Sequence, residues 1–176
     1  VHPSGESALC LNFDRLRYCR PSYGYRGNND PKWDTPVHPD DGIYRLDLTT
    51  GEHEQIIATQ SFCDDPAETI RDHWLEHAVW NPSGSRFLFY HRQEDPDGAH
   101  DSRVHTAAPD GSERHALPDT GFYSHVSWKD DEHLTVWSVE PSISKEAKDA
   151  VKQSKLVRTL VRPVYDFVRL RGPSLD

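Results

Sequence analysis

The chain has 176 residues, including five Trp, seven Tyr and six Phe, which is enough for one domain with a core and too aromatic for a disordered segment. Its formal net charge is −9, and an acidic chain repels backbone phosphates, so nucleic acid is excluded as the main partner. No apolar run approaches the roughly 20 residues of a membrane-spanning helix.

Three cysteines, Cys10, Cys19 and Cys63, show no spacing typical of a metal site. An odd number without such spacing indicates free thiols rather than a disulfide framework. Free thiols favour a reducing, cytoplasmic compartment. The sequence has no Met and starts inside a repeated pattern, so we expect it to be an excerpt from a longer protein.

The first predicted hairpin spans residues 2–13, where a Pro-Ser-Gly turn precedes an alternating apolar run. An insertion, 14–40, follows, and its segment 15–33 interleaves arginines with aromatic residues. Arginine pairs with carboxylates and aromatic rings stack on sugars, so this loop predicts a site for an acidic saccharide. The alternative is an ordered loop with a structural role, which covers a central channel of the fold or packs on an adjoining element. The candidate binding residues are Arg20, Tyr23, Tyr25 and Arg26.

Hairpins of a second type are predicted at 41–57 and 101–117. Their turns read Thr-Thr-Gly-Glu and Pro-Asp-Gly-Ser, which are residues that tight turns favour. A second insertion, 58–73, separates the first of them from the next repeat. It leads into the string HWLEH, residues 73–77, which matches a zinc-hydrolase motif if it is helical. A chance match is the alternative, because the repeat explains the last histidine of the string as the start of a strand.

The closest repeat links "HAVWNPSGSRFLFYHR", residues 77–92, with "HVSWKDDEHLTVWS", which begins at His125. Both stretches predict hairpins, at 77–92 and 125–138. His77 and His125 each stand three residues before a Trp. Each is predicted to begin the strand of its repeat that lies nearest the centre of the fold. His91 is predicted to end the strand that pairs with the strand of His77. Converging imidazoles can bind metal or act as acid and base. Hydrogen bonding between repeats is the alternative.

Together the hairpins form four-stranded units at 2–57 and 77–117, and a third unit begins at 125–138. Serial antiparallel units with polar turns predict an all-β fold of β-propeller blades over residues 1–140. A β-sandwich is the main structural alternative. Two and a half blades cannot close a ring, so the prediction requires further blades beyond this stretch.

Residues 141–176 form a second predicted segment. Residues 141–171 carry eight basic and three acidic side chains, whereas residues 1–140 carry 12 basic and 25 acidic ones. Apolar spacing from Ser144 to Leu160 predicts a basic amphipathic helix, which Pro163 ends or kinks. Such a helix packs on the propeller or, alternatively, contacts a membrane surface or an acidic partner.

The segments DGIYRLDLTTGE, WNPSGSRFLFYH and TAAPDGSERHAL resemble blades of the TolB-type propellers, most specifically of the oligogalacturonate-lyase-like branch. The resemblance covers about residues 1–138. It implies a lyase site at the mouth of a central channel, where Arg103 steadies a uronate carboxylate and His125 is the general base. It also implies a divalent metal held by blades outside this chain.

Two main functions follow from these observations. The first is binding or processing of an acidic saccharide, with Arg103 and His125 as catalytic residues and with binding residues His91, His77, Arg20, Tyr23, Tyr25 and Arg26. The second is a non-catalytic propeller that serves as a scaffold for protein–protein interaction. A zinc hydrolase is a third hypothesis, and it requires residues 73–77 to be helical.

Overall fold

The computed structural model describes residues 1–25, 27, 34–118 and 122–139, all within one compact unit, Val1–Val139. The predicted helix in 141–176 and the candidate Arg26 lie outside these residues. The described part is mostly antiparallel strand, so the all-β prediction is confirmed. Among the residues described, no helix is long and apolar enough to cross a membrane.

The described chain contains nine strands, one α-helix and one 3₁₀ helix. They are β1 (Ser7–Leu11), α1 (Phe13–Cys19), β2 (Gly42–Asp47), β3 (His53–Ala58), the 3₁₀ helix (Thr59–Phe62), β4 (Asp72–Trp80), β5 (Phe87–Glu94), β6 (His100–Ala107), β7 (His115–Ala116), β8 (Phe122–Trp128) and β9 (Leu134–Val139).

The strands form three antiparallel sheets, ordered β1-β2-β3, β4-β5-β6-β7 and β8-β9. Every strand pairs only with its neighbours in the sequence, although residues 12–41, which include α1, separate β1 from β2. The predicted hairpins at 41–57, 77–92, 101–117 and 125–138 are confirmed by this pairing. The second predicted unit is a four-stranded meander.

Two local predictions in the first unit are wrong. Residues 2–13 are not a hairpin: only Val1 and His2 precede the turn, too few for a strand, and β1 pairs with β2 instead. The Arg- and Tyr-rich insertion is not a loop throughout, because its first part is α1. The Asn12 side chain accepts hydrogen bonds from the backbone N–H groups of Asp14 and Arg15, at 3.1 Å each, and caps this helix.

The core lies between the first sheet and one face of the second. It contains six buried residues, and partly buried side chains of β1 and the 3₁₀ helix pack against it. Burial of each large apolar side chain contributes roughly 1.5–3 kcal/mol to folding. The six are Ile43, Ile57, Leu75, Phe87, Phe89 and Ala107. This contact fixes which face of β4–β7 is turned towards the first sheet.

The turns of three successive repeats touch one another at one end of the sheets. The His2 imidazole, in the first turn, donates a hydrogen bond to the Gly84 carbonyl at 3.2 Å. In the next pair, the Asn81 side chain donates to the Asp131 carbonyl at 3.2 Å, and the Ser83 N–H donates to the Asp131 carboxylate at 2.8 Å. Equivalent turns therefore meet in chain order.

The three cysteines are unpaired and half-buried, so the prediction of free thiols is confirmed. Burial raises the pKa of the Cys19 thiol well above its ordinary value. A thiol is a nucleophile only when ionised, so this one is chemically inert at neutral pH.

Candidate functional site

His77 and His125 occupy the same special position in two sheets. Each lies at a β-bulge, where the strand register shifts between Glu76 and Val79 in β4 and beside Ser124 in β8. Both have a positive φ, 56° and 51°. A non-glycine residue in this left-handed region costs roughly 1–2 kcal/mol. The fold therefore holds the same backbone strain at equivalent histidines of two repeats.

The bulges place both histidines inside strands, not at the strand heads where the sequence pattern predicted them. β4 already begins at Asp72 and β8 at Phe122. In the described sheets β4 pairs only with β5, and β8 only with β9, so each bulge lies on a sheet edge. The His77 side chain is 44% exposed, and His125 is exposed as well. Both imidazoles are accessible to a ligand.

A buried carboxylate, Glu76, lies beside the first bulge. It is 1% exposed and accepts hydrogen bonds from Arg20 at 2.7 Å, from Trp74 Nε1 at 3.1 Å, and from Arg92. Burial alone would raise its pKa, but a hydrogen bond from His77 and the charges of both arginines outweigh burial and lower the pKa to about 2. Glu76 is therefore a carboxylate at neutral pH.

The Glu76 carboxylate sets the proton position on the neighbouring imidazole. Its Oε1 lies 3.2 Å from His77 Nδ1, and an ionised carboxylate only accepts hydrogen bonds, so Nδ1 carries the proton. In the neutral imidazole the other nitrogen, Nε2, is then an acceptor. This arrangement suits a group that accepts a hydroxyl proton or acts as a general base. His125 follows a serine, Ser124, and has no neighbouring carboxylate of this kind in its strand.

The insertion contributes two of the predicted binding residues to the same place. The Arg20 guanidinium lies 4.1 Å from the centroid of the Tyr23 ring, and that ring lies 5.7 Å from the ring of His77. Tyr25 is different: its ring packs on Phe13 at 4.9 Å and is largely exposed. The structure therefore groups Arg20, Tyr23 and His77, and leaves Tyr25 with α1.

A buried tyrosine connects the surroundings of the two bulges. The Tyr90 ring lies 5.5 Å from the His77 ring, and its hydroxyl is hydrogen-bonded by the backbone of Val126, the residue after His125. Burial raises the pKa of Tyr90, so it stays protonated. Trp128 Nε1 also donates to the carbonyl of Val79 at 3.0 Å. We call His77, His125, Arg20 and Tyr23 the bulge surface.

The other two predicted residues, His91 and Arg103, lie on the opposite face of the second sheet. They are direct partners across β5 and β6. Because side chains alternate along a strand, His91 points to the side away from Tyr90. A cleft of about 260 Å³ opens there, lined by Phe62, His91, Gln93, Asp101, Ser102, Arg103 and His105. The proposed catalytic pair is thus divided between the cleft, with Arg103, and the bulge surface, with His125.

Two buried histidines, His91 and His105, line this cleft, and a third, His73, contacts His91. We call His73, His91 and His105 the histidine cluster. His73 Nδ1 and His91 Nε2 share a hydrogen bond of 3.0 Å. Burial lowers their pKa values to about 4, 3 and 4, assisted by neighbouring cationic groups and by the other imidazoles. All three are therefore neutral at neutral pH.

The zinc-hydrolase reading is contradicted by the fold. Residues 73–77 lie in strand β4, where His73 is buried in the histidine cluster and His77 projects from the bulge, so they do not share a helical face. In the part of the chain that the structure describes, no group of three His, Cys, Asp or Glu residues is arranged to hold a metal ion. The motif is a chance match.

Sequence reasoning did not find Glu76, Tyr90, Arg92 or the histidine cluster as a group. A usable signal was present at Glu76, the only acid in the run from His73 to Trp80. A lone charged residue inside an otherwise apolar strand must find partners if the strand is buried. Its partners are Arg20, which follows α1, and Arg92 in β5. No pattern within β4 indicates that these two residues lie beside Glu76.

Comparisons with protein-family models, with curated proteins and with solved structures found no match to this chain. The resemblance to TolB-type propellers therefore stays a prediction.

Proposed function

We propose that this chain supplies consecutive blades of a β-propeller and binds an acidic saccharide at the bulge surface. The carrying observation is the strained histidine that recurs at equivalent bulges, His77 and His125. Non-glycine residues with positive φ cost stability, and bulges interrupt the pairing of strands. Both features are therefore found preferentially at functional sites. One strained residue is a local accident, and the same one in two repeats indicates a shared role.

Contacts between repeats support the propeller part of the proposal. Blades of a propeller are related by rotation about an axis, so equivalent positions of neighbouring blades come together. Here the turn at Asn81 contacts the turn at Asp131, and the turn at His2 contacts the turn at Gly84. The four strands β4 to β7 also form one meander, as a blade requires.

Charge and shape at the bulge surface favour an acidic sugar. Two arginines, Arg20 and Arg92, share one carboxylate, Glu76, so the group keeps an excess positive charge. The Arg20 side chain is 26% exposed and reaches solvent. Tyr23, which is exposed, offers a ring beside this cation. A uronate ring presents a carboxylate and an apolar face, which match a cation and an aromatic ring.

The same groups support β-elimination as the reaction of this site. A base removes the proton on the carbon next to the uronate carboxylate, the electron pair forms a carbon–carbon double bond, and the glycosidic oxygen leaves with its electrons. His125 is the base that the resemblance implies. His77 Nε2 is a second acceptor, oriented through Glu76. Positive charge from Arg20 stabilises the developing negative charge on the carboxylate.

The test is a calorimetric titration of the full chain with trigalacturonate, together with the ultraviolet absorbance of the unsaturated product. His77→Ala, His125→Ala and Tyr23→Ala are expected to weaken binding at least about tenfold, a change of 1.4 kcal/mol. His115→Ala, at an exposed histidine of β7, is the control and leaves binding unchanged. No binding by the wild type would overturn the proposed function. If all four variants bind trigalacturonate as tightly as the wild type, the binding site is not the bulge surface.

A protein–protein scaffold is the second candidate function. Exposed apolar side chains favour it, since Val79 is 46% exposed and Trp137 is 55% exposed on strand β9. Large exposed aromatic side chains are enriched in protein interfaces. The titration separates the candidates, because a scaffold binds no trigalacturonate.

A further inference from the structure

The repeat aligns the first sheet with the second sheet residue by residue. The turn before β1 closes with a hydrogen bond of 2.8 Å from the His2 N–H to the Ser7 carbonyl. The turn before β5 closes in the same way, with a bond of 2.9 Å from the Asn81 N–H to the Arg86 carbonyl. The turns that follow β2 and β6 also close alike. Because β1–β2 and β5–β6 are antiparallel pairs in this same register, each position of the first sheet has a counterpart in the second sheet.

One face of the first sheet is half-open, although its counterpart in the second sheet is buried. Four side chains of β1 and β2 point away from the core that Leu9, Leu11 and Ile43 contact, because side chains alternate along a strand. All four are half-buried, and a groove of about 420 Å³ opens beside three of them. Their counterparts are at most 8% exposed, since the first sheet and the 3₁₀ helix pack on them. The four, which we call the open face, are Ala8, Cys10, Tyr44 and Leu46, and their counterparts are, in that order, Phe87, Phe89, His105 and Ala107.

The third sheet presents the complementary kind of face. Its turn closes with a hydrogen bond of 2.9 Å from the Lys129 N–H to the His133 carbonyl, which makes Trp137 in β9 the counterpart of Tyr90 in β5. Tyr90 is 4% exposed, and its hydroxyl is hydrogen-bonded by the backbone of β8 in the following sheet. Trp137 is 55% exposed, and Thr135 beside it is exposed as well. We call Thr135 and Trp137 the β9 face, and by the repeat it is the face on which a following sheet packs.

The side chains of both faces suit a contact between proteins. None of the six is charged, and interface cores are depleted of charged residues and rich in aromatic ones, such as Trp137 and Tyr44. The turns extend the same order. His2 and Asn81 each donate a side-chain hydrogen bond to the following turn, and Lys129 is their exposed counterpart in the third turn. Its ammonium group has three donors for the carbonyls of a further turn.

We propose that two copies of this chain associate head to tail, with the β9 face of each copy packed on the open face of the other. This contact continues the packing that already joins the first sheet to the second and the second to the third. The three described sheets are too few for a ring, since propellers have roughly 4–8 blades, whereas two copies of three sheets make six. A head-to-tail contact closes into a ring when the rotation between copies allows it. The inference rests on the propeller part of the proposed function and is independent of saccharide binding.

The first test is sedimentation equilibrium of the full chain over a wide range of protein concentration. The wild type is expected to reach twice the 20.2 kDa mass of one chain. Trp137→Glu places a charge in the contact, where it loses its hydration, and is expected to stay monomeric. Ile70→Glu, at an apolar residue that is 70% exposed and belongs to neither face, is the control and is expected to dimerise like the wild type. A wild type that is monomeric at every concentration, an assembly of another size, or a dimeric Trp137→Glu variant overturns the proposal.

A mixing experiment tests whether the contact is head to tail. Leu46→Glu blocks the open face and leaves the β9 face intact, whereas Trp137→Glu does the reverse. Each variant alone is expected to be monomeric, and an equimolar mixture is expected to associate, because the open face of one variant still fits the β9 face of the other. Circular dichroism checks that both variants are folded. A mixture of folded variants that stays monomeric contradicts the pairing of these two faces.

Thiol alkylation of the wild type needs no variant. The alkylation rate of Cys10, in the open face, is expected to fall as the protein concentration rises, whereas the rate of Cys63, outside both faces, is expected to stay constant. A Cys10 rate that does not depend on concentration contradicts the proposal. The trigalacturonate titration separates the two proposals: a monomeric wild type that binds trigalacturonate refutes only the dimer, and a dimer that does not bind it refutes only the saccharide site.

Discussion

Backbone strain at the bulges can be measured by comparing alanine with glycine at His125. This residue has φ 51° and is exposed, so neither substitution removes buried packing. Alanine keeps the left-handed cost of roughly 1–2 kcal/mol, and glycine escapes it. Glycine in turn loses about 0.5–1 kcal/mol, because its unfolded chain has more conformational freedom. His125→Gly is therefore expected to be about 0.5–1 kcal/mol more stable than His125→Ala.

The control is Ser127, two residues later in the same strand. It is exposed and has no positive φ, so here alanine is expected to be more stable than glycine, by about 0.5–1 kcal/mol. Urea unfolding of the four variants, followed by tryptophan fluorescence, gives each free energy of unfolding from its midpoint and slope. The preference must reverse between the two positions. If alanine is the more stable residue at both positions, the bulge holds no strain, and the proposed function is contradicted at the observation that supports it.

Three further predictions concern stability. The histidine cluster has folded-state pKa values of about 4, 3 and 4, below the ordinary histidine value, so the folded protein binds fewer protons than the unfolded chain. This contribution to stability is complete only about one pH unit above 6.5 and falls as the pH drops towards 4, by about 2 kcal/mol per histidine at pH 5. An unfolding midpoint that does not change from pH 7 to pH 5 contradicts this prediction. Glu76→Gln leaves two cations near a neutral amide and is expected to cost about 3–5 kcal/mol in urea unfolding; a loss below 1 kcal/mol would mean that the ion group is solvated. Gly84→Ala is expected to destabilise more than Gly51→Ala, since both have similar positive φ but only the first Cβ would clash with the His2 imidazole; equal losses would show that the contact between the two turns is absent.

Much of the strand pattern was predictable because its causes are local. Alternation of apolar and polar residues has the period of a strand, and turn residues such as those at 81–84 and 49–52 act over four positions. Four of the five predicted hairpins follow these rules and are confirmed. The equivalence of His77 and His125 was also visible, since a repeat is a property of the sequence. Asn12, which caps the N-terminus of α1, was also a local signal for a helix. It was missed because the Arg and Tyr residues of this segment were interpreted as a binding loop.

Other features of the site depend on contacts between residues distant in the sequence. A bulge exists only relative to a partner strand, because it is a mismatch of register, so the positive φ of His77 could not be read from the residue pattern of β4 itself. Glu76 becomes an ionised buried group only where Arg20 and Arg92 reach it from two other elements.

The sequence by itself determined the class of fold, four of the five predicted hairpins and the equivalence of His77 and His125 between repeats. Only the tertiary structure decided which side of each sheet is turned to which neighbour. That choice separates Arg103 from His125 and brings Phe62, from the 3₁₀ helix, to Arg103 around a cleft. The physical reason is that a strand offers two faces of alternating side chains, and packing between sheets, not the strand's own pattern, assigns each face its surroundings.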